Sequence, residues 1–112
     1  MESQAERQQK IAALNDAFRR SFRGGRLMMS ASIAALPSEV RAMIFSKIAS
    51  FADFTEDNDP YGEHDFGSLC VASQHVFWKI DYFDERMEFG SEDPADPAKT
   101  TRVLTIMLAE DY

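Results

Sequence analysis

A single cysteine, Cys70, stands in the 112 residues of this chain. With no partner it forms no intrachain disulfide, which excludes a small secreted scaffold stapled by bridges. Long apolar runs are also missing. The longest weakly polar stretch, Leu27 to Leu36, contains two serines and falls far short of the ~20 residues that a membrane span needs. The first residues, Met1 to Arg7, are charged from the second position and lack the apolar stretch of a signal peptide. A cytoplasmic protein with no membrane partner is the expectation. No G-x-S-x-G, H-E-x-x-H or phosphate-cradling glycine loop occurs, so no ready-made hydrolase, zincin or nucleotide site is legible and no cofactor is expected.

Cations are scarce where anions are plentiful. Residues 51–112 hold fifteen Asp/Glu against four Lys/Arg, whereas residues 1–50 hold eight Lys/Arg against four Asp/Glu, within a net charge of −7. An acidic half repels phosphates, which argues against direct nucleic-acid binding. It attracts and steers a basic partner surface instead, or simply keeps the chain soluble. With 45% hydrophobic and 12% aromatic residues the chain is rich enough to fold, and its length bounds it to one domain, residues 1–112. Residues 1–8 are polar and expected to fray.

Ile11, Leu14, Phe18 and Phe22 recur at helical spacing and predict an amphipathic helix. Arg19, Arg20 and Arg23 favour its C-terminal end, and Gly24-Gly25 stop it. Leu27-Met28-Met29 reads as a short strand. A second helix starts at Pro37, with Val40, Ile44, Ile48 and Phe51 on one face, and ends near Phe51 or Ala52. Beyond an acidic loop, Phe66 to Ala72 and Val76 to Phe83 predict an antiparallel hairpin joined by Ser73-Gln74-His75. Its second strand puts Val76, Trp78, Ile80 and Tyr82 on one face. Phe77, Lys79, Asp81 and Phe83 lie on the other. Met87-Glu88-Phe89 is read as a further short strand, Gly90 to Pro97 as a loop, and Asp96-Pro97 as the start of a last helix burying Val103, Ile106, Met107 and Leu108. The expected fold is α+β: a small antiparallel sheet packed by three helices, in the order α-β-α-β-β-(β)-α.

The segment Glu56 to Gly67 carries five carboxylates and one histidine without a lysine or arginine. Asp57, Asp59 and Gly62 match positions one, three and six of a calcium loop, but Tyr61 and Ser68 break the pattern at five and twelve. No metal ligand set is assigned. A transition metal on His64 and nearby aspartates, serving a small hydrolase or nuclease, is the alternative reading. His64 as a general base lacks a nucleophile or oxyanion donors at recognisable spacing. Cys70, on a strand, is read as a small buried hydrophobe and His75 as an exposed turn residue. The structural alternative for the loop is turn chemistry, with Asp and Asn capping and Tyr61 and Phe66 anchoring it. Five clustered carboxylates exceed what a turn needs, and their repulsion favours a partner. The candidate partner-binding residues are therefore Asp57, Asp59, Tyr61, Glu63, His64 and Asp65.

The segments Ile11 to Asp16, Asn58 to Gly67, Phe77 to Tyr82 and Thr101 to Leu108 together resemble a family of small bacterial proteins catalogued as a domain of unknown function. That resemblance implies a plasmid or mobile-element setting and carries no catalytic or ligand residues. The functional expectation is a non-enzymatic acidic binding protein that occupies a basic surface on a host macromolecule. An anti-defence inhibitor that competes with nucleic acid is the form this takes in such a setting. A self-associating structural protein, basic helix against acidic loop, is the third reading.

Overall fold

The structure, a computed structural model, describes residues 2–112. Helix α1 (Gln4–Ser21) starts behind Ser3, whose hydroxyl accepts from the Glu6 N–H as an N-cap. Most of the stretch expected to fray is therefore helical from Gln4, while Met1 lies outside the described residues. Phe22 closes α1 in the left-handed conformation, φ 55°. Strand β1 (Gly25–Met29), the one-turn helix α2 (Ala31–Ala34) and helix α3 (Ser38–Ala49) follow. The acidic loop then leads into β2 (Phe66–Val71), β3 (Gln74–Phe83) and, after a long connection, β4 (Thr101–Leu108).

The four strands form one mixed sheet in the order β1-β4-β3-β2. β1 runs parallel to β4, and the other two pairings are antiparallel. The α+β class holds, but the sheet is mixed, not antiparallel, and its order differs from the expected one. The largest difference is at residues 101–108, a central strand where the sequence predicts a helix. Asp96 does cap a turn and Pro97 does open it, but that turn is a single 3-10 turn, Pro97–Lys99. Buried neighbours on both faces of β4 give a nearly continuous apolar run, which is ambiguous between helix and strand. Four β-branched residues in this stretch, Thr101, Val103, Thr105 and Ile106, tip that balance toward strand.

Met87 to Phe89 form no strand; only an isolated bridge joins Phe83 and Gly90. The third helix is instead α2, within the weakly polar run Leu27 to Leu36. The hairpin exists as expected, with a tighter turn at Ala72-Ser73, φ 50° and 66°. Two consecutive left-handed residues are the signature of a type I′ hairpin turn, here built without the usual Asn-Gly.

The helices cover one face of the sheet. Phe18, Ile33, Ile44, Ile48, Val76, Trp78, Ile80, Leu104 and Ile106 form the core there. Trp78 sits at its centre, fully buried, edge-on to Phe51 and Phe54. Gly67 lies directly opposite Trp78 in the β2–β3 register, and a Cβ on Gly67 would collide with the indole. The other face has no helix over it. Phe66 and Phe77 pack there under the ring of Tyr112, and Lys79 pairs with Asp81 at 3.1 Å.

Candidate functional site

The buried face of α1 is not uniformly apolar. Asn15 and Arg19 follow Ile11 at four-residue steps and are 0% and 1% exposed, so two polar side chains enter the core beside Phe18. Each then needs hydrogen-bond partners, because an unpaired buried polar group costs ~1–3 kcal/mol. The acidic loop supplies one of these partners, the Glu63 carbonyl.

Asn15 is the hub of the first network. Its amide nitrogen donates to the backbone carbonyl of Glu63 at 3.0 Å and to the Tyr82 hydroxyl at 2.8 Å. Its oxygen accepts from Arg102 Nε at 2.7 Å, and the Tyr82 hydroxyl donates onward to Glu63 Oε1 at 2.8 Å. A directed chain thus runs from the Arg102 guanidinium through Asn15 and Tyr82 to the Glu63 carboxylate. It links β4, α1, β3 and the loop. Arg102 also donates to the Pro94 carbonyl and lies over the Tyr82 ring. Burial lowers the pKa of the Arg102 guanidinium and raises that of the Tyr82 phenol, the latter reinforced by its bond to Glu63.

Arg19 builds the second network. It donates to the carbonyls of Ile48 and Phe51 at 2.7 and 2.8 Å, satisfying the C-terminal end of α3, and to Asp16 Oδ1 at 2.7 Å. Burial lowers its pKa, opposed by that bond to Asp16. The guanidinium lies over both Phe54 and Trp78, about 5 Å from each ring. Arg19 Nε and Trp78 Nε1 are buried and find no partner among the described residues. Asp16 in turn holds His64 Nδ1 at 3.0 Å. The imidazole stacks flat on Phe54, 4.0 Å between centroids, and its Nε2 faces Asp59 at 3.8 Å. The His64 backbone is left-handed, φ 58°, a conformation uncommon outside glycine, and the Asp59 carboxylate accepts its N–H there.

The six candidate residues therefore divide. Asp59, Glu63, His64 and Asp65 turn toward the body of the protein, Asp59 being only 8% exposed. Asp65 is half-buried near Glu63, Asp59 and Asp81, and burial, then Glu63, raises its carboxyl pKa. Asp57 and Tyr61 point outward with Glu56, Tyr61 at 69% exposure. Asp16, Asn15, Arg19, Tyr82 and Arg102 complete the arrangement and lie outside the candidate set. Asn15 and Arg19 had a legible signal, two polar residues in step with Ile11 on an apolar helix face.

The chemistry available is limited. Asp16 orients His64 as a general base would be oriented, yet Nε2 faces a buried carboxylate, and among the described residues no nucleophile is hydrogen-bonded to the ring. Three surface cavities, at Asp84 to Lys99, at Gln74 with Glu110, and at Leu14 with Arg102, do not include His64. Among the described residues no group of three His, Cys, Asp or Glu side chains is placed to hold a metal ion. Cys70 is exposed on β2, correcting its assignment to the core; an edge strand leaves alternate side chains on the uncovered sheet face. His75 lies opposite it, bonded to Ser68 at 2.7 Å, with no third group orienting the imidazole.

This geometry defines a small α+β protein whose acidic loop is tied to its first helix by a buried polar relay. Residues 29–111 match the model of a family described as a protein of unknown function (DUF3768), and the chain belongs to that family. The match takes in the loop, Tyr82 and Arg102 but begins after Asn15, Asp16 and Arg19. No curated protein and no solved structure matches the chain. Among the described residues no helix is long and apolar enough to cross a membrane.

Proposed function

We propose that this protein is a non-enzymatic binding protein whose acidic loop tip engages a basic surface on another macromolecule. The observation that supports this is the contrast between the root and the tip of the loop. The root is fixed by Asp59, Glu63 and His64 through the networks above. The tip is fixed locally: Asn58 accepts from the Thr55 N–H at 2.8 Å and donates to the Asp53 carbonyl at 2.8 Å. On this frame Glu56, Asp57 and Tyr61 stand in solvent, and among the described residues neither carboxylate meets a cation. A preorganised tip loses little conformational entropy on binding. Its carboxylates suit charge-assisted bonds to Arg or Lys, and its tyrosine suits an anchoring pocket.

The mobile-element setting implied by the resemblance makes a nucleic-acid-binding component of a host defence complex the proposed target. The acidic tip would compete there for a positively charged groove. Affinity capture from a host lysate tests the reading, comparing the wild type with a Glu56→Gln/Asp57→Asn/Tyr61→Ala variant. The expected result is a basic protein retained by the wild type, released as salt rises, and lost with the variant. Retention that ignores salt, or that survives the three substitutions, refutes it.

A further inference from the structure

The one strand of the sheet with every residue exposed is β1, and it forms one edge. The Ser30 N–H donates to the Ile106 carbonyl, just past the end of the β1–β4 ladder. In a parallel ladder successive residues alternate between bonding inward and facing outward. Arg26 and Met28 therefore bond toward β4, while the N–H and C=O of Leu27 and Met29 face away from it. Among the described residues no hydrogen bond reaches these outward groups from outside the sheet. Leu27, Met28 and Met29 are also 39%, 56% and 37% exposed. An edge that is both apolar and unpaired is a template for another strand.

Charge indicates which strand. Arg23 and Arg26 flank this edge, both exposed, and among the described residues neither pairs with a carboxylate. A second copy pairing through β1 would gather four arginines at one seam, which disfavours self-association there. An acidic strand would be attracted instead.

We propose that the free edge of β1 docks an extended acidic segment of a partner protein, added as a fifth strand beside Leu27 to Met29 and steered by Arg23 and Arg26. Main-chain bonds at Leu27 and Met29 would supply most of the affinity, and the arginines would supply the preference for Asp and Glu. This surface is separate from the acidic loop tip and does not depend on its role.

Because main-chain pairing tolerates many sequences, simple probes suffice. Fluorescein-labelled octapeptides of alternating valine with glutamate, or valine with lysine, are titrated with the full chain and followed by anisotropy. The valine–glutamate peptide is expected to bind, to weaken as salt rises, and to bind at least tenfold more tightly than the valine–lysine peptide. Leu27→Pro removes an outward N–H that β4 does not use and should abolish binding. Arg23→Glu/Arg26→Glu, which changes only exposed side chains, should reverse the peptide preference and decides the matter if the proline variant fails to fold. The proposal is overturned by no binding of the valine–glutamate peptide, by an unchanged preference in the charge-reversed variant, or by equal binding to a folded Leu27→Pro protein. Sedimentation showing a wild-type dimer that Leu27→Pro dissociates would also overturn it, by giving the edge to a second copy.

Discussion

Asn15 donates its side-chain amide to the Tyr82 hydroxyl at 2.8 Å, joining residues 67 positions apart in the chain. This bond is the middle of the relay from Arg102 to Glu63, so removing either residue interrupts the chain between them. Asn15→Ala leaves the Arg102 Nε–H and the Glu63 carbonyl without their bonds. A loss of about 1–3 kcal/mol of stability is expected, read as a lower midpoint in urea unfolding. Combined with Tyr82→Phe, the loss should fall short of the sum of the single losses, because one shared network is broken only once. Additive losses would show that the relay does not act as a unit.

Gly67 is seated on the Trp78 indole, where no Cβ fits. Gly67→Ala should cost about 1–3 kcal/mol by forcing the strand or the indole to shift. Near-ultraviolet circular dichroism, which reports the packing of the sole tryptophan, should change with it. An alanine variant of wild-type stability would contradict the close approach of β2 to Trp78.

Asp65 gives a pH-dependent prediction. Its folded carboxyl pKa is raised, chiefly by burial and then by Glu63, whereas in the unfolded chain it titrates near ~3.9. The folded state then holds this proton more tightly than the unfolded state. Its contribution to stability is fully present below the unfolded pKa and falls as pH rises through the folded pKa. Asp65→Asn, a neutral mimic, should therefore raise Tm at pH 7, and the gain should shrink as the pH is lowered into the acid range. A lower Tm at pH 7 would show that the ionised carboxylate is stabilising.

The root and tip of the acidic loop should respond differently to substitution. Asp59→Ala removes the acceptor of the His64 N–H and should lower stability by about 1–3 kcal/mol. Glu56→Gln and Asp57→Asn touch only solvent-exposed groups and should stay within about 0.5 kcal/mol of wild type. Thermal melts of the three variants side by side distinguish a structural root from a free tip. A destabilising Asp57→Asn would move that residue into the structural set.

The amino-acid sequence by itself determined the local elements whose signals agree with one another. The apolar stripes of α1 and α3, the glycines after α1 and the alternation in β3 each settle a choice within one stretch of chain, because helix and strand periods differ. It also determined that the second half is acidic. Residues 101–108 show where local signals run out. A cap-like Asp96-Pro97 and apolar residues at helical spacing pointed to a helix, but pairing with β1 and β3 on both sides made a strand. Only the tertiary structure decided what the carboxylates of the loop do. Asp59 and Glu63 read as equivalent to Asp57 until the fold carries the loop to α1. There, 48 residues away in sequence, Asn15 meets the Glu63 carbonyl and Asp16 meets His64. The physical reason is burial: a polar group inside must find a partner, and the identity of that partner depends on which distant segments the core brings together.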